Sequence, residues 1–80
     1  MKLFLVNCGY YEQGLMNGLF EMHVTLPVAA ISEDEAKSRA KADEFFVMRG
    51  LRAHVDGIME IKEANGHLIR LTPSVQEVAR

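Results

Sequence analysis

The sequence predicts an α+β fold of order strand-strand-helix-strand-strand. One helix is expected on one face of a four-stranded, mainly antiparallel sheet, as a two-layer sandwich. Three observations carry this expectation. Residues 32–50, SEDEAKSRAKADEFFVMRG, read as a helix from first cap to last. Residues 19–31 alternate apolar and polar side chains, the period of a strand with one wet face. Asn65-Gly66 between two strand-like stretches marks a β-hairpin.

The helix is defined at both ends. Ser32 and Glu35 have the S-x-x-E spacing, in which the hydroxyl accepts from the third helical N–H and the carboxylate reaches back toward the cap. Glu33, Asp34 and Glu35 put negative charge at the positive end of the helix dipole. Gly50, after Arg49, suits the left-handed position that closes a helix. At about 100° per residue, Glu33, Lys37, Lys41 and Glu44 fall on one side. Ala36, Ala40, Ala42, Phe46 and Val47 fall on the other, where the alanines allow close approach to a sheet. Phe45 and Met48 lie off that stripe, which leaves two readings: a loop covers them, or they belong to a subunit interface.

The flanking segments read as strands. Residues 2–8, KLFLVNC, are apolar at both parities, as in a central strand covered on both faces. Residues 9–18 form a loop with glycines at 9, 14 and 18, and Tyr10 and Tyr11 at its start either pack over the sheet edge or wall a pocket. In the next strand, Phe20, Met22, Val24, Leu26 and Val28 share one face, and Glu21, His23 and Thr25 the other. Pro27 cannot donate to a ladder, so this strand is at an edge or bulged there. Along residues 51–64, Val55, Met59 and Ile61 share a face, while His54, Asp56, Glu60 and Lys62 share the other with Ile58. Gly57 within that strand suggests a bulge or a close backbone approach. A three-residue hairpin loop, 64–66, would set Ile61 opposite Ile69, Met59 opposite Leu71 and Glu63 opposite His67, which sorts apolar from charged. That register is expected over the two-residue alternative. Residues 67–72 make the fourth strand, and Ser74 with Glu77 repeats the cap spacing of a short C-terminal helix.

Eighty residues are one small domain, 1–80, with about half apolar and a quarter charged side chains. Cys8 is the only cysteine, so no internal disulfide forms. With no secretory signal pattern and no apolar run long enough for a membrane, a reducing cytoplasm is the expected setting. A net charge of −2 without a Lys/Arg cluster argues against a nucleic-acid partner. One helix leaves part of the sheet uncovered, so a homodimer is expected, with a further protein or small-molecule partner left open.

One constellation has chemical content. His54 and Asp56 are two apart in an extended segment and project to one face. If the strands before and after the helix are neighbours, His23 joins them. Two neutral imidazoles and a carboxylate suit a divalent metal, and three ligands leave positions open for water. The same trio suits an anion or general-base role, and a His–Asp pair on a strand is also a common surface pair. No HExxH, CxxC, G-x-S-x-G, phosphate-loop or dinucleotide fingerprint is present, so no organic cofactor is expected. Cys8 reads as a buried thiol rather than a nucleophile.

The chain resembles a bacterial family designated domain of unknown function 1543. The resemblance lies in the opening KLFLV strand before a loop with Gly9 and Gly14, in Glu21-Met22-His23-Val24, and in Ala53-His54-Val55-Asp56 followed by Asn65-Gly66-His67. It spans most of residues 2–72 and points to His23, His54 and Asp56. This chain departs from the family pattern at Val24, where the family has an aspartate. The resemblance implies no particular activity. Two functional readings follow: a small bacterial homodimeric interaction module without catalysis, or a small metal- or ligand-dependent enzyme using the His23, His54, Asp56 face. Convergence of those three side chains separates the two.

Overall fold

A computed structural model describes residues 1–74. The fold is α+β, with a three-stranded antiparallel sheet, a separate two-stranded hairpin and a helical segment. The sheet comprises β1 (Lys2–Tyr10), β2 (Met22–Ala30) and β3 (His54–Glu60), in the order β2-β1-β3. The strand apolar at both parities is therefore the central one. Pro27 lies on an edge strand, where its missing N–H costs no ladder bond.

Alternation along β1 divides the molecule. Phe4, Val6, Cys8 and Tyr10 are buried beneath the helix α1 (Glu33–Lys41), which lies against all three strands. Ala36 and Ala40 are fully buried at that contact, so the small residues of the helix do bring it close to the sheet. Met22, Val24, Leu26, Val28, Val55 and Ile58 complete the same core. Leu3, Leu5, Asn7 and Gly9 face the other way.

The expected continuous helix 32–50 is instead two pieces, α1 and α2 (Glu44–Val47), joined at Asp43. Asp43 takes extended backbone, and its Oδ1 accepts from Phe45 N–H at 2.9 Å. A short acidic side chain competes for backbone donors, which makes Asp a better cap than interior helix residue. The break turns Phe45 and Phe46 toward Tyr10, and the three rings pack edge to face with centroids 5.1–5.7 Å apart. Phe45 is thus covered by Tyr10 and by the Arg49 guanidinium, 4.2 Å above its ring, rather than by a loop. Val47, expected on the packing stripe, is 64% exposed, and Met48 is 80% exposed. The outer caps hold: Ser32 accepts from Glu35 N–H at 3.2 Å, and Gly50 is left-handed with φ 66°. Glu35 reaches back to the N–H of Ile31, one residue before the expected partner.

Beyond β3, the expected four-stranded sheet is not formed. β4 (Glu63–Ala64) and β5 (His67–Leu68) make their own two-stranded hairpin. Its register pairs Glu63 with Leu68 and Ala64 with His67, so the loop is the two-residue Asn65-Gly66, and the expected three-residue loop is wrong. Asn65 and Gly66 both have positive φ, 51° and 76°, as a type I′ turn requires. All four hairpin strand residues are exposed. With no buried face to sort, turn chemistry decides the register. The expected short C-terminal helix lies outside the described residues.

Replacing Asp43 by Ala removes the cap between the helices. It is expected to lower stability in urea denaturation by about 1 kcal/mol. Val47→Ala, at an exposed site, is expected to stay within about 0.5 kcal/mol of wild type.

Candidate functional site

The register brings the predicted residues together. Gly9, on the central strand, pairs with His23 of β2 on one side and His54 of β3 on the other. Antiparallel partners point to the same face, so both imidazoles stand on the open side of the sheet, across a residue with no side chain.

Asp56 arrives by a different route. Between β1 and β3, Asn7 pairs with Gly57 and Cys8 with Val55, which leaves Asp56 as the extra residue of a β-bulge. Gly57 had signalled this irregularity. The bulge also overturns the expected face assignment of β3. Val55 and Ile58, three apart, both turn to the core, whereas Met59, opposite Leu5, stands on the open face and is 57% exposed.

His23, His54 and Asp56 therefore converge, and Glu21 joins them. Glu21 was placed on the face of His23 by alternation but was not singled out as a ligand; its spacing of two from His23 was the available signal. Its Oε1 lies 2.9 Å from His23 Nε2 and its Oε2 2.6 Å from His54 Nε2. Asp56 Oδ2 lies 3.2 Å from His23 Nδ1, and Asp56 Oδ1 lies 3.3 Å from His54 Nε2. Asn7 supports the ring of His23: its amide N–H donates to Thr25 Oγ1 at 3.2 Å, which leaves its Oδ1 facing His23 Nδ1 at 3.1 Å.

The chemistry of this cluster is unbalanced. Both ring nitrogens of His23 face oxygens that only accept, yet a neutral imidazole carries a single N–H. A proton or a metal ion must occupy one of these contacts for both to be favourable. Glu21, His23 and Asp56 each offer a ligand atom within 4.8 Å of the others. The four side chains are 31–47% exposed, so solvent and ligands reach the cluster.

Gly9 is what makes this approach possible. A Cβ placed there would lie 2.6 Å from Asp56 Oδ2, 2.6 Å from His54 Nε2 and 2.9 Å from Glu21 Oε2. All three separations are shorter than real Cβ contacts, so any other residue would push the cluster apart.

The remaining candidates do not join. His67 contacts the carbonyl of Asn65 at 2.9 Å in the hairpin and does not face Glu63. Cys8 is fully buried beneath the helix. Burial pushes its thiol pKa up, with Asp56 and Asp43 adding to the rise and Lys41 opposing it, which keeps the thiol protonated and unreactive. No helix among the described residues is long and apolar enough to cross a membrane. No family model, curated protein or solved structure matches the chain.

Gly9→Ala is expected to displace the imidazoles of His23 and His54, seen as shifts of their ring Cε1–H resonances. Those of His67, in the distant hairpin, should stay in place.

Proposed function

We propose that this chain binds a divalent first-row metal ion through Glu21, His23, His54 and Asp56. The observation that carries the reading is the convergence of these side chains, from the two edge strands and the residue just before β2, over the bare backbone of Gly9. Two imidazoles and two carboxylates form a mixed nitrogen–oxygen donor set of the kind that zinc, iron or manganese accepts. Metal–ligand bonds of 2.0–2.1 Å put tetrahedral ligand atoms about 3.3 Å apart. Glu21, His23 and Asp56 each offer a ligand atom at that order of spacing, within 4.8 Å of one another, and His54 Nε2 lies 2.6 Å from Glu21 and 3.3 Å from Asp56, as a fourth donor. Asn7 would orient His23 from outside the ligand set, as outer partners do in metal sites. We propose binding, not catalysis. The resemblance to domain of unknown function 1543 supports attention to His23, His54 and Asp56, and a bacterial cytoplasmic setting belongs to the same proposal.

Native mass spectrometry of untagged protein, purified without chelator, tests this. One divalent ion per chain is expected. His23→Ala and His54→Ala should each weaken binding by more than the tenfold or so that loss of an outer partner costs. A wild-type chain without metal, which also takes up none of the added ions, would leave the cluster as a hydrogen-bonded network of imidazole and carboxylate side chains.

A second reading, a homodimeric interaction module, is supported by the apolar end of the same face. Pro27, Leu5 and Met59 lie in one row across the three strands, with Leu3 and Ala29 in the next. Met59 is 57% exposed. A second copy meeting this face would bury the row. Light scattering at tens of micromolar is expected to give a dimer, with Met59→Lys shifting it to monomer; a monomeric wild type removes this reading.

A further inference from the structure

We infer that the open outer edge of β3 accepts an extended acidic segment of another protein, which adds to the sheet as a further strand beside Lys37 and Lys41 of α1.

The two edges of the sheet are not equivalent. Ile61, just past β3, donates its N–H to the Leu3 carbonyl at 2.8 Å. Ile61 and Met59, which pairs with Leu5, therefore turn their backbone groups to β1. Ile58 and Glu60 point theirs outward. Lys62 is the next residue of that parity, and its carbonyl accepts from Ile69 N–H at 2.9 Å. The hairpin thus begins an outer row, but residues 71–74 pass to the β2 side, where they line a cavity with Ala29 and Arg39. Among the described residues, β1 is the only ladder partner of β3. The edge of β2 is blunted. The residues of β1 that bond β3 do not bond β2, so Pro27, opposite Leu5, and Ala29, opposite Leu3, face outward there. Pro27 has no N–H to offer, and Arg39 Nη1 donates to the Ala29 carbonyl at 3.1 Å. A new strand finds its donors and acceptors on β3.

Charge says which strand. On the helix side of this edge is a groove of about 460 Å³, lined by Lys37 and Lys41 together with residues 54–58 of β3. Glu33 and Glu44, on the same side of the helical segment, do not line it. Neither lysine is held in an ion pair among the described residues. A strand paired with Ile58 and Glu60 would place alternate side chains in the groove, where acidic ones meet the lysines. Main-chain hydrogen bonds supply affinity and the groove supplies selectivity, as in other strand additions. A second copy pairing β3 with β3 would set the lysines of both copies against each other, which disfavours it. The bulge at Asp56 ends the regular edge, so the added strand is short.

The test titrates the ¹⁵N-labelled full chain with the peptide acetyl-Thr-Glu-Val-Glu-Val-Glu-Thr-amide. Saturable shifts and slowed hydrogen exchange are expected at the amides of Ile58 and Glu60, with those of Thr25 and Ala29 on the β2 edge unmoved. The Lys37→Gln/Lys41→Gln double variant should bind at least about tenfold more weakly, the cost of lost charge-assisted contacts. A peptide with lysine in place of each glutamate should not bind. Of two versions N-methylated on alternate amides, at least one should fail to bind. No response of Ile58 and Glu60 at about 1 mM peptide would overturn the inference. So would equal binding of the lysine peptide, equal binding of both methylated versions, or an unchanged affinity in the double variant. Shifts of the same two amides on raising the protein concentration alone would assign the edge to a second copy and overturn it as well.

Discussion

A single extra residue in β3 sets the relation between the two faces of this molecule. In a regular strand, Val55 and Ile58 would point to opposite sides. The bulge at Asp56 turns both to the core, where they meet Cys8 and Val6. It leaves His54 and Met59 together on the open face. It also frees Asp56 from the ladder, so that its carboxylate can reach both imidazoles. Core packing and the candidate site thus depend on the same irregularity. Straightening the strand would cost apolar burial at one end or withdraw the carboxylate at the other.

The elements that were legible in the sequence are those fixed by short-range rules. The first turn of α1 follows from Ser32 and Glu35, and the end of the helical segment after α2 from Gly50, a residue that can adopt positive φ. Central placement of β1 follows from its two apolar parities, and edge placement of β2 from Pro27. Where two local rules competed, the weaker-looking one prevailed. Asp43 fell inside the expected continuous helix, yet its capping geometry and three aromatic rings favour a break. The hairpin register was argued from facing residues, but those residues are exposed, and Asn65-Gly66 imposed its own turn.

The site was partly legible for a related reason. Alternation placed His23, His54 and Asp56 on polar faces without knowledge of strand order. Their convergence needed β2 and β3 to flank one residue of β1, which no local pattern specifies. Glu21 stood at the right parity, two residues from His23, but it was not singled out as a ligand; in the structure it precedes the first ladder residue of β2 and its side chain reaches both imidazoles. Gly9 read as the start of a loop, whereas it is paired on both sides and its missing Cβ holds the space.

The open face is graded along the strands. At one end lie Leu3 and Leu5 with Pro27 and Met59; Asn7 and Thr25 form a middle row; His23, Gly9 and His54 form the last. An apolar end and a polar end on one surface make different demands. The apolar row loses free energy to water until something covers it, and a domain this small has little stability to spare. The histidine row must stay open if ligands are to reach it. A partner seated on Leu5 and Met59 satisfies the first demand without closing the second, because the Asn7–Thr25 row separates them. Dimerisation at one end and ligand binding at the other are therefore compatible on one sheet face, and the two readings of the chain do not compete for the same residues.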